Sequence, residues 1–224
     1  MSRFIESANS CSRASAAAAV RATVLAGVLL TCIGVGAARA HHVMEGALPA
    51  TFLQGLLSGL GHPLIGPDHL AFVVAMGIAA GAGGLSLSLP GLFVAASMVG
   101  VMLHVQAVSL PSVELAVAAS VLLIGALVAW GRAQGAGGWP GLWAAFFALA
   151  GVFHGHAFGE SIVGAEPAPL SAYLIGLAII QTVLATAVAL VARRSRADAL
   201  KPRLAGAAVA LIGIAFLVGQ FLAA

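Results

Sequence analysis

The chain has 224 residues, of which 61% are hydrophobic and 8% are charged, and its formal net charge is +3. A soluble domain usually carries about 25% charged residues, so this composition excludes an ordinary soluble fold and indicates a polytopic all-α membrane protein in a lipid bilayer. The excess positive charge lies in the arginines before residue 41. The remainder of the chain is formally neutral, which argues against nucleic acid as a partner.

The first 40 residues have the layout of a secretory signal peptide. A basic region ends near Arg21, an apolar run follows, and Ala38-Arg39-Ala40 supplies small residues for cleavage. We predict a signal peptide over residues 1–40 and one transmembrane domain over residues 41–224. The alternative is an uncleaved first helix, which would make a seventh span. Both cysteines lie in the predicted signal peptide, so a metal site in the mature chain would use imidazole, carboxylate, thioether or backbone ligands.

Cleavage after Ala40 would place His41 and His42 at the new N-terminus. A free amine beside two imidazoles can chelate a metal ion, so we predict these histidines as external metal ligands. The alternative is a polar tail without a binding role.

The first apolar run of the mature chain, Thr51–Ala82, is longer than the roughly 20 residues that one straight span needs. Two glycines and two prolines interrupt it between residues 61 and 67. The residue before a proline is pushed out of the helical region, so we predict that the helix is broken between His62 and Asp68, with His62 at the break. Pro67 favours the start of a new helix that carries Asp68 and His69 in its first turn.

Five further apolar runs follow, so we predict about six transmembrane helices. The runs are Pro90–Val108, Val113–Gly131, Pro140–Gly159, Leu170–Ala192 and Leu204–Ala223. If the mature N-terminus is outside and the first run crosses once, all six basic residues after residue 41 lie on the cytoplasmic side, as the positive-inside rule requires. Two crossings would move all six outside. We therefore expect one crossing, or a crossing with a partial re-entrant segment, in a bacterial inner membrane, with a periplasmic mature N-terminus.

Two short clusters hold most of the imidazoles of the mature chain, each within an apolar run. Their candidate metal ligands are His62, Asp68, His69, His154, His156 and Glu160. Polar groups at membrane depth are costly, so we interpret their presence as functional, against the alternative of a purely structural role. Imidazole with carboxylate suits Ni, Co, Zn or Fe, and we predict one site for a divalent transition metal ion. His104 is a further candidate ligand, and the alternative for it is a hydrogen-bonded structural histidine.

These clusters resemble the two signatures of the HupE/UreJ hydrogenase/urease accessory proteins. The matching motifs are His62-Pro63-x-x-Gly66-x-Asp68-His69 and Phe153-His154-Gly155-x-Ala157-x-Gly159-Glu160. Pro111-Ser112-Val113-Glu114, followed by Ser120 and Gly125, also resembles the start of that family's middle helix. The resemblance covers essentially the whole mature chain.

Members of that family are secondary nickel or cobalt permeases with a cleaved signal peptide and about six spans, so the resemblance implies this fold and activity here. It implies Ni2+ or Co2+ as the transported substrate, no permanently bound cofactor, and a link to metalloenzyme maturation (hydrogenase, urease or cobalamin synthesis). The residues that it carries over as transport residues are His62, Asp68, His69, His154 and Glu160. Members often have a second histidine where Phe158 stands here, and we expect His104 to compensate for it.

Two other functions fit the same clusters. An intramembrane metalloenzyme would need an open coordination position and a general base, for which Glu160 is available, but the chain lacks an H-E-x-x-H motif and a G-x-S-x-G motif. A metal-binding accessory or insertion protein would bind the ion without transporting it. We expect a permease and not an enzyme. The sequence leaves the choice of metal and the oligomeric state open.

Overall fold

The computed structural model of the protein describes residues 48–131, 139–194 and 200–223, and these residues form helices and connecting turns without a β-strand. The helices are α1 (Phe52–Ile65), α2 (Pro67–Gly81), α3 (Ser88–Val105), α4 (Val113–Ala129), α5 (Pro140–Gly159), α6 (Pro167–Arg194) and α7 (Leu200–Ala223). The predicted signal peptide and the histidines at positions 41 and 42 lie outside the described residues.

The described helices make a polytopic helical membrane protein. Four of them, α3, α5, α6 and α7, are long and apolar enough to cross a membrane, and the bent pair of α1 and α2 is a fifth candidate if it counts as one span. The remaining helix, α4, is apolar and has 17 residues, at the short end of the roughly 17–25 that a span requires. Each of the six predicted runs contains a helix or the bent pair, so the predicted fold class is confirmed.

The break in the first run lies at Gly66. Thr51 begins α1 with a capping box, in which its hydroxyl accepts from the backbone N–H of Gln54. Gly66 has an extended backbone conformation (φ −77°, ψ 106°), and Pro67 opens α2 at an angle of 78° to α1. The prediction of a break before Asp68 is therefore confirmed.

The prediction that His62 itself sits at the break is wrong. His62 lies in the last turn of α1, and Pro63 is inside that helix. Proline removes one backbone donor and disfavours the helical region for the residue before it, but it leaves the carbonyl of His62 able to accept. That carbonyl receives the backbone N–H of Gly66 at 3.2 Å, so the helical turn closes beyond the proline.

The two halves of the broken run advance along α6 in the same direction. A Cβ at Gly59 in α1 would collide with the backbone of Tyr173, and a Cβ at Gly81 in α2 would collide with the backbone of Ala189. A re-entrant segment would return to the same part of its neighbour. The order of contacts therefore fits one interrupted crossing, as the charge pattern predicted. The second half, α2, is the most enclosed part of this run, with 12 of its 15 residues buried.

Helices α3 and α5 are in backbone contact because glycines face each other across their interface. A Cβ at Gly155 would lie 2.6 Å from the Cα of Ser97, and one at Gly100 would lie 2.7 Å from the backbone nitrogen of His156. Small residues allow this close approach between membrane helices. The contact fixes α5 at the level of its two histidines and so determines what each imidazole meets.

The two ends of the bundle differ in charge. The four described basic residues lie at the end of α6 and the start of α7, and they are Arg193, Arg194, Lys201 and Arg203. Glu114 opens α4 at the opposite end, where it interacts electrostatically with Asp68 and Glu160. The acidic end is the one towards which the histidine clusters lie.

Candidate metal site

Three buried imidazoles from three different helices lie together beside the break. His62 in α1 is 8% exposed, His69 in α2 is 7% exposed, and His154 in α5 is 0% exposed. The ring centroids of His62 and His69 are 6.2 Å apart, and those of His69 and His154 are 4.9 Å apart. We call His62, His69 and His154 the inner group. The change of direction at Gly66 lets the two neighbouring helices α1 and α2 each contribute a ring to it.

The closest contact in the inner group joins two ring nitrogens. His69 Nδ1 and His154 Nδ1 are 2.8 Å apart. In the metal-free protein this is an N–H···N hydrogen bond, in which one ring donates. Two imidazoles on one metal ion at about 2.0–2.1 Å would have their nitrogens roughly 3.0–3.4 Å apart. A small widening of the existing contact would therefore let one ion replace the shared proton.

Ser120 fixes the proton on the far side of His154. The hydroxyl of Ser120 donates to the Val117 carbonyl at 2.7 Å, and its oxygen lies 2.9 Å from His154 Nε2. Because the hydroxyl proton is already used, Nε2–H of His154 donates to the serine oxygen. The Nδ1 of His154 then carries the lone pair, and it faces His69. A ring N–H held by an oxygen acceptor is the usual arrangement of a histidine that ligates through its other nitrogen.

A similar support holds His62. Its Nδ1 lies 2.9 Å from Ser161 Oγ and 3.1 Å from the hydroxyl of Tyr173. Both hydroxyls can donate to the Phe158 carbonyl, at distances of 3.1 Å and 2.8 Å. With those protons engaged, Nδ1–H of His62 donates to the two hydroxyl oxygens. The lone pair of His62 is then on Nε2, the nitrogen on the opposite side of the ring from this support.

Asp68 is buried beside the inner group at 7% exposure. Its Oδ1 accepts the backbone N–H of His69 at 2.9 Å, in the first turn of α2. The carboxylate thus holds the helix start from which the His69 ring projects. It also places an acidic group beside His69, which favours a cation at this position.

Phe158 occupies the space between two members of the inner group. Its side chain is 0% exposed, and its ring centroid lies 5.2 Å from that of His62 and 4.3 Å from that of His69. Position 158 therefore borders the inner group directly. An imidazole there would add a ligand to it, whereas phenylalanine makes the pocket drier.

The remaining predicted ligands lie nearer the acidic end. His104 in α3 and His156 in α5 have their Nδ1 atoms 3.1 Å apart, and we call them the outer pair. Glu160 is exposed at the end of α5 and interacts electrostatically with His104 and with Glu114. The ring contacts of His104 go to His156 and not to the inner group, so His104 does not fill the place of the missing histidine.

The seven predicted side chains that the structure describes thus separate into two places. Within the described residues, no group of three or more His, Cys, Asp or Glu side chains is placed to hold a metal ion at once. What the structure offers is one nitrogen pair in the inner group and another in the outer pair. Such incomplete sites suit an ion that keeps part of its water shell.

Comparison with known families identifies relatives of this chain. The family profile described as "HupE / UreJ protein" matches residues 28–216. The chain belongs to the HupE/UreJ family. A curated relative, "Protein HupE" from Rhizobium leguminosarum bv. viciae, is 35% identical over 172 residues, which cover 74% of this chain and 86% of the relative. No solved structure matches the chain. Both the inner group and the outer pair lie inside the range that the HupE/UreJ profile covers.

Three functional side chains of this HupE/UreJ protein escaped prediction as parts of the site, namely Ser120, Ser161 and Tyr173. Each supports an imidazole through a hydroxyl oxygen. Weak signals existed, since Ser161 directly follows Glu160 and Tyr173 is the only tyrosine of the chain. Isolated hydroxyls in apolar helices commonly bond to their own backbone, so sequence alone gives no reason to pair them with a distant histidine.

Proposed function

We propose that this HupE/UreJ protein is a secondary permease that carries Ni2+ or Co2+ across the bacterial inner membrane. The metal ion is the transported substrate, and no permanently bound cofactor takes part. Family membership supports the proposal, as does the burial of three imidazoles between helices that are long and apolar enough to span a bilayer. The ion delivered would serve metalloenzyme maturation, in hydrogenase, urease or cobalamin synthesis.

The nitrogen pair of His69 and His154 carries this proposal. It joins α2 to α5 at 2.8 Å, and Ser120 holds the His154 ring from outside the pair. A structural metal site normally closes around four ligands and holds its ion permanently. Two imidazoles beside one carboxylate bind more weakly, and a transport path needs sites that release as well as bind. Metal binding to imidazole competes with protons, so uptake should slow as the medium becomes acidic.

The charge asymmetry of the bundle supports a direction. Basic residues prefer the cytoplasmic side, so the end with Glu114 and Glu160 would be periplasmic, together with the mature N-terminus. Negative charge at that mouth would concentrate divalent cations there. His41 and His42 would collect the ion outside, and the inner group would pass it through the interrupted helix.

Liposomes containing the purified protein and an entrapped metal-sensitive dye provide the test. We expect Ni2+ or Co2+ flux in the wild type, a loss of flux with His69→Ala, and a decrease of at least about tenfold with Asp68→Asn, the lower end of the effect of removing a group that supports a ligand. The variants should insert at normal levels. Saturable binding without flux would instead indicate an accessory protein, and chemical turnover would indicate a metalloenzyme. Wild-type flux in both variants would disprove the proposed path.

A further inference from the structure

The outer pair has the features of a prepared metal site. His104 Nδ1 and His156 Nδ1 are 3.1 Å apart, with the rings inclined at 57°. This separation already falls in the range of roughly 3.0–3.4 Å expected for two imidazole nitrogens on one ion. His156 is buried and His104 is partly exposed, so an ion can reach the pair from the surface. The inner group is covered more completely.

The backbone fixes the proton of His156 on the nitrogen that faces away from the pair. His156 Nε2 lies 2.9 Å from the Val108 carbonyl, and because a carbonyl only accepts, Nε2–H donates. The neutral ring then presents its Nδ1 lone pair to His104. A ligating histidine usually gives its other N–H to such an acceptor, so His156 already has the tautomer that a ligand requires.

A helix-terminating motif aims that carbonyl. The backbone N–H of Val108 donates to the Leu103 carbonyl, and that of Ala107 donates to the His104 carbonyl, both at 2.9 Å. These two bonds form a Schellman motif, and Ala107 takes the left-handed conformation (φ 59°) that usually requires glycine. The strained turn directs the end of α3 towards α5. Gly159 completes the arrangement, because a Cβ there would lie 2.6 Å from the Cβ of His104.

The outer pair is separate from the inner group although both use α5. His154 and His156 are about 200° apart around an ideal helix. His154 faces α2 and α4, where it meets His69 and Ser120, whereas His156 faces α3. Glu160 adds negative charge near His104. Two imidazole pairs on opposite sides of one helix can each hold an ion.

We infer that His104 and His156 form a second binding site for a divalent transition metal ion, distinct from the inner group. The ion binds to the two Nδ1 atoms and completes its shell with water. The proton that His104 shares with His156 leaves Nδ1, and the neutral His104 ring then carries its proton on Nε2. The binding site stands on its own geometry. Its place in transport, as the site loaded first from the acidic mouth, rests on the proposed function.

Titration of the purified protein in nanodiscs with Co2+ tests this inference, because the visible absorption of Co2+ reports its ligands. All chains in the titration carry His41→Ala and His42→Ala, which remove the predicted external ligands, and we expect two Co2+ ions per chain that is otherwise wild type. His104→Gln and His156→Gln should each bind one ion with the inner spectrum retained, and the glutamine at 156 can still donate to the Val108 carbonyl. His69→Gln is the matched control, and it should bind one ion with the outer spectrum retained. Gly159→Ala displaces His104 without removing a ligand and should weaken the outer site alone.

Binding of two Co2+ ions with wild-type affinity by both His104→Gln and His156→Gln would overturn the inference. A wild-type protein that binds one ion, lost only with His69→Gln, would overturn it too, as would a wild-type protein that binds none. The flux assay is independent of this result. Two bound ions without flux would contradict the proposed permease function and would still support the second binding site.

Discussion

The inner group and the outer pair use the same chemical contact in different surroundings. Each brings two Nδ1 atoms together, at 2.8 Å between His69 and His154 and at 3.1 Å between His104 and His156. Serine and tyrosine hydroxyls anchor the rings of His62 and His154, whereas a backbone carbonyl anchors the ring of His156. The inner rings are buried, and the outer pair is partly exposed.

The two kinds of hydrogen-bond partner differ in how freely they let the histidines change tautomer. A carbonyl can only accept, so His156 is held in one tautomer while it remains neutral. The hydroxyls accept in the pattern described above, but a hydroxyl can also donate, so the support of His62 and His154 can reverse when a neutral ring changes its tautomer. The outer pair is thus built to capture an ion. The inner group can adjust as an ion arrives and leaves, which a transport path requires.

The largest effect should come from Gly155→Ala, which disrupts both the inner group and the outer pair. The added Cβ would collide with the backbone of Ser97, force α3 and α5 apart, and displace the imidazoles on either side of α5. Overpacking of this kind costs about 1–3 kcal/mol of folding stability. We expect both Co2+ sites and nearly all flux to be lost. Gly141→Ala on the same helix is the control, since its Cβ meets nothing within 4 Å. Equal behaviour of the two variants would show that the helix contact does not position the histidines.

Removal of the hydroxyl of Ser120 should affect the inner group alone. In Ser120→Ala the Nε2–H of His154 loses its buried acceptor, and we expect flux to fall about tenfold or more. Ser120→Thr keeps the hydroxyl and should restore most of the flux. Ser97→Ala is the control, because Ser97 also donates to a carbonyl three residues earlier, while its side-chain partner is Gln181 and not an imidazole. Loss of the outer Co2+ spectrum in Ser120→Ala would contradict the separation of the two places.

Phe158→His should strengthen the inner group, because it puts an imidazole between His62 and His69. We expect the affinity of the inner site for Co2+ to rise about tenfold, a change of about 1.4 kcal/mol, and flux to fall because tighter binding slows release. The outer pair should keep its affinity. Phe158→Leu, which opens space without adding a ligand, gives the baseline for the titration. An inner affinity equal to that of Phe158→Leu would mean that position 158 does not face the bound ion.

The smallest effect is expected from Tyr173→Phe. The tyrosine hydroxyl lies 3.1 Å from His62 Nδ1, but Ser161 remains at 2.9 Å as a second acceptor. The change also removes the bonds of this hydroxyl to the Phe158 carbonyl and to Ser161, but the Phe158 carbonyl keeps Ser161 as a donor. Since His62 loses one of two acceptors, at a cost of about 1 kcal/mol, flux should fall by roughly fivefold at most. The double variant with Ser161→Ala should lose considerably more than the two single changes together. Strict additivity of the two changes in free energy would show that they do not share the support of His62.

Much of the fold could be predicted from residues that act locally. The length of each apolar run indicated the spans, and the proline at position 67 indicated where α2 begins. The placement of His62 at the break failed because Pro63 restricts only its neighbours, while the hydrogen bond from Gly66 that closes the turn lies beyond it. The prediction that the two histidine motifs form one binding unit correctly implied that α2 and α5 meet. It gave no means of assigning each imidazole to a partner.

The sequence by itself determined that this chain is a helical membrane protein of the HupE/UreJ family, because hydrophobicity, proline chemistry and the two histidine motifs can be interpreted along the chain. Only the tertiary structure decided that His154 and His156, two residues apart, serve different places. The helical period makes the two side chains point in different directions, but the residues that they contact depend on how closely α3 approaches α5. That approach is controlled by glycines at the contact, where the absence of a side chain lets two backbones touch.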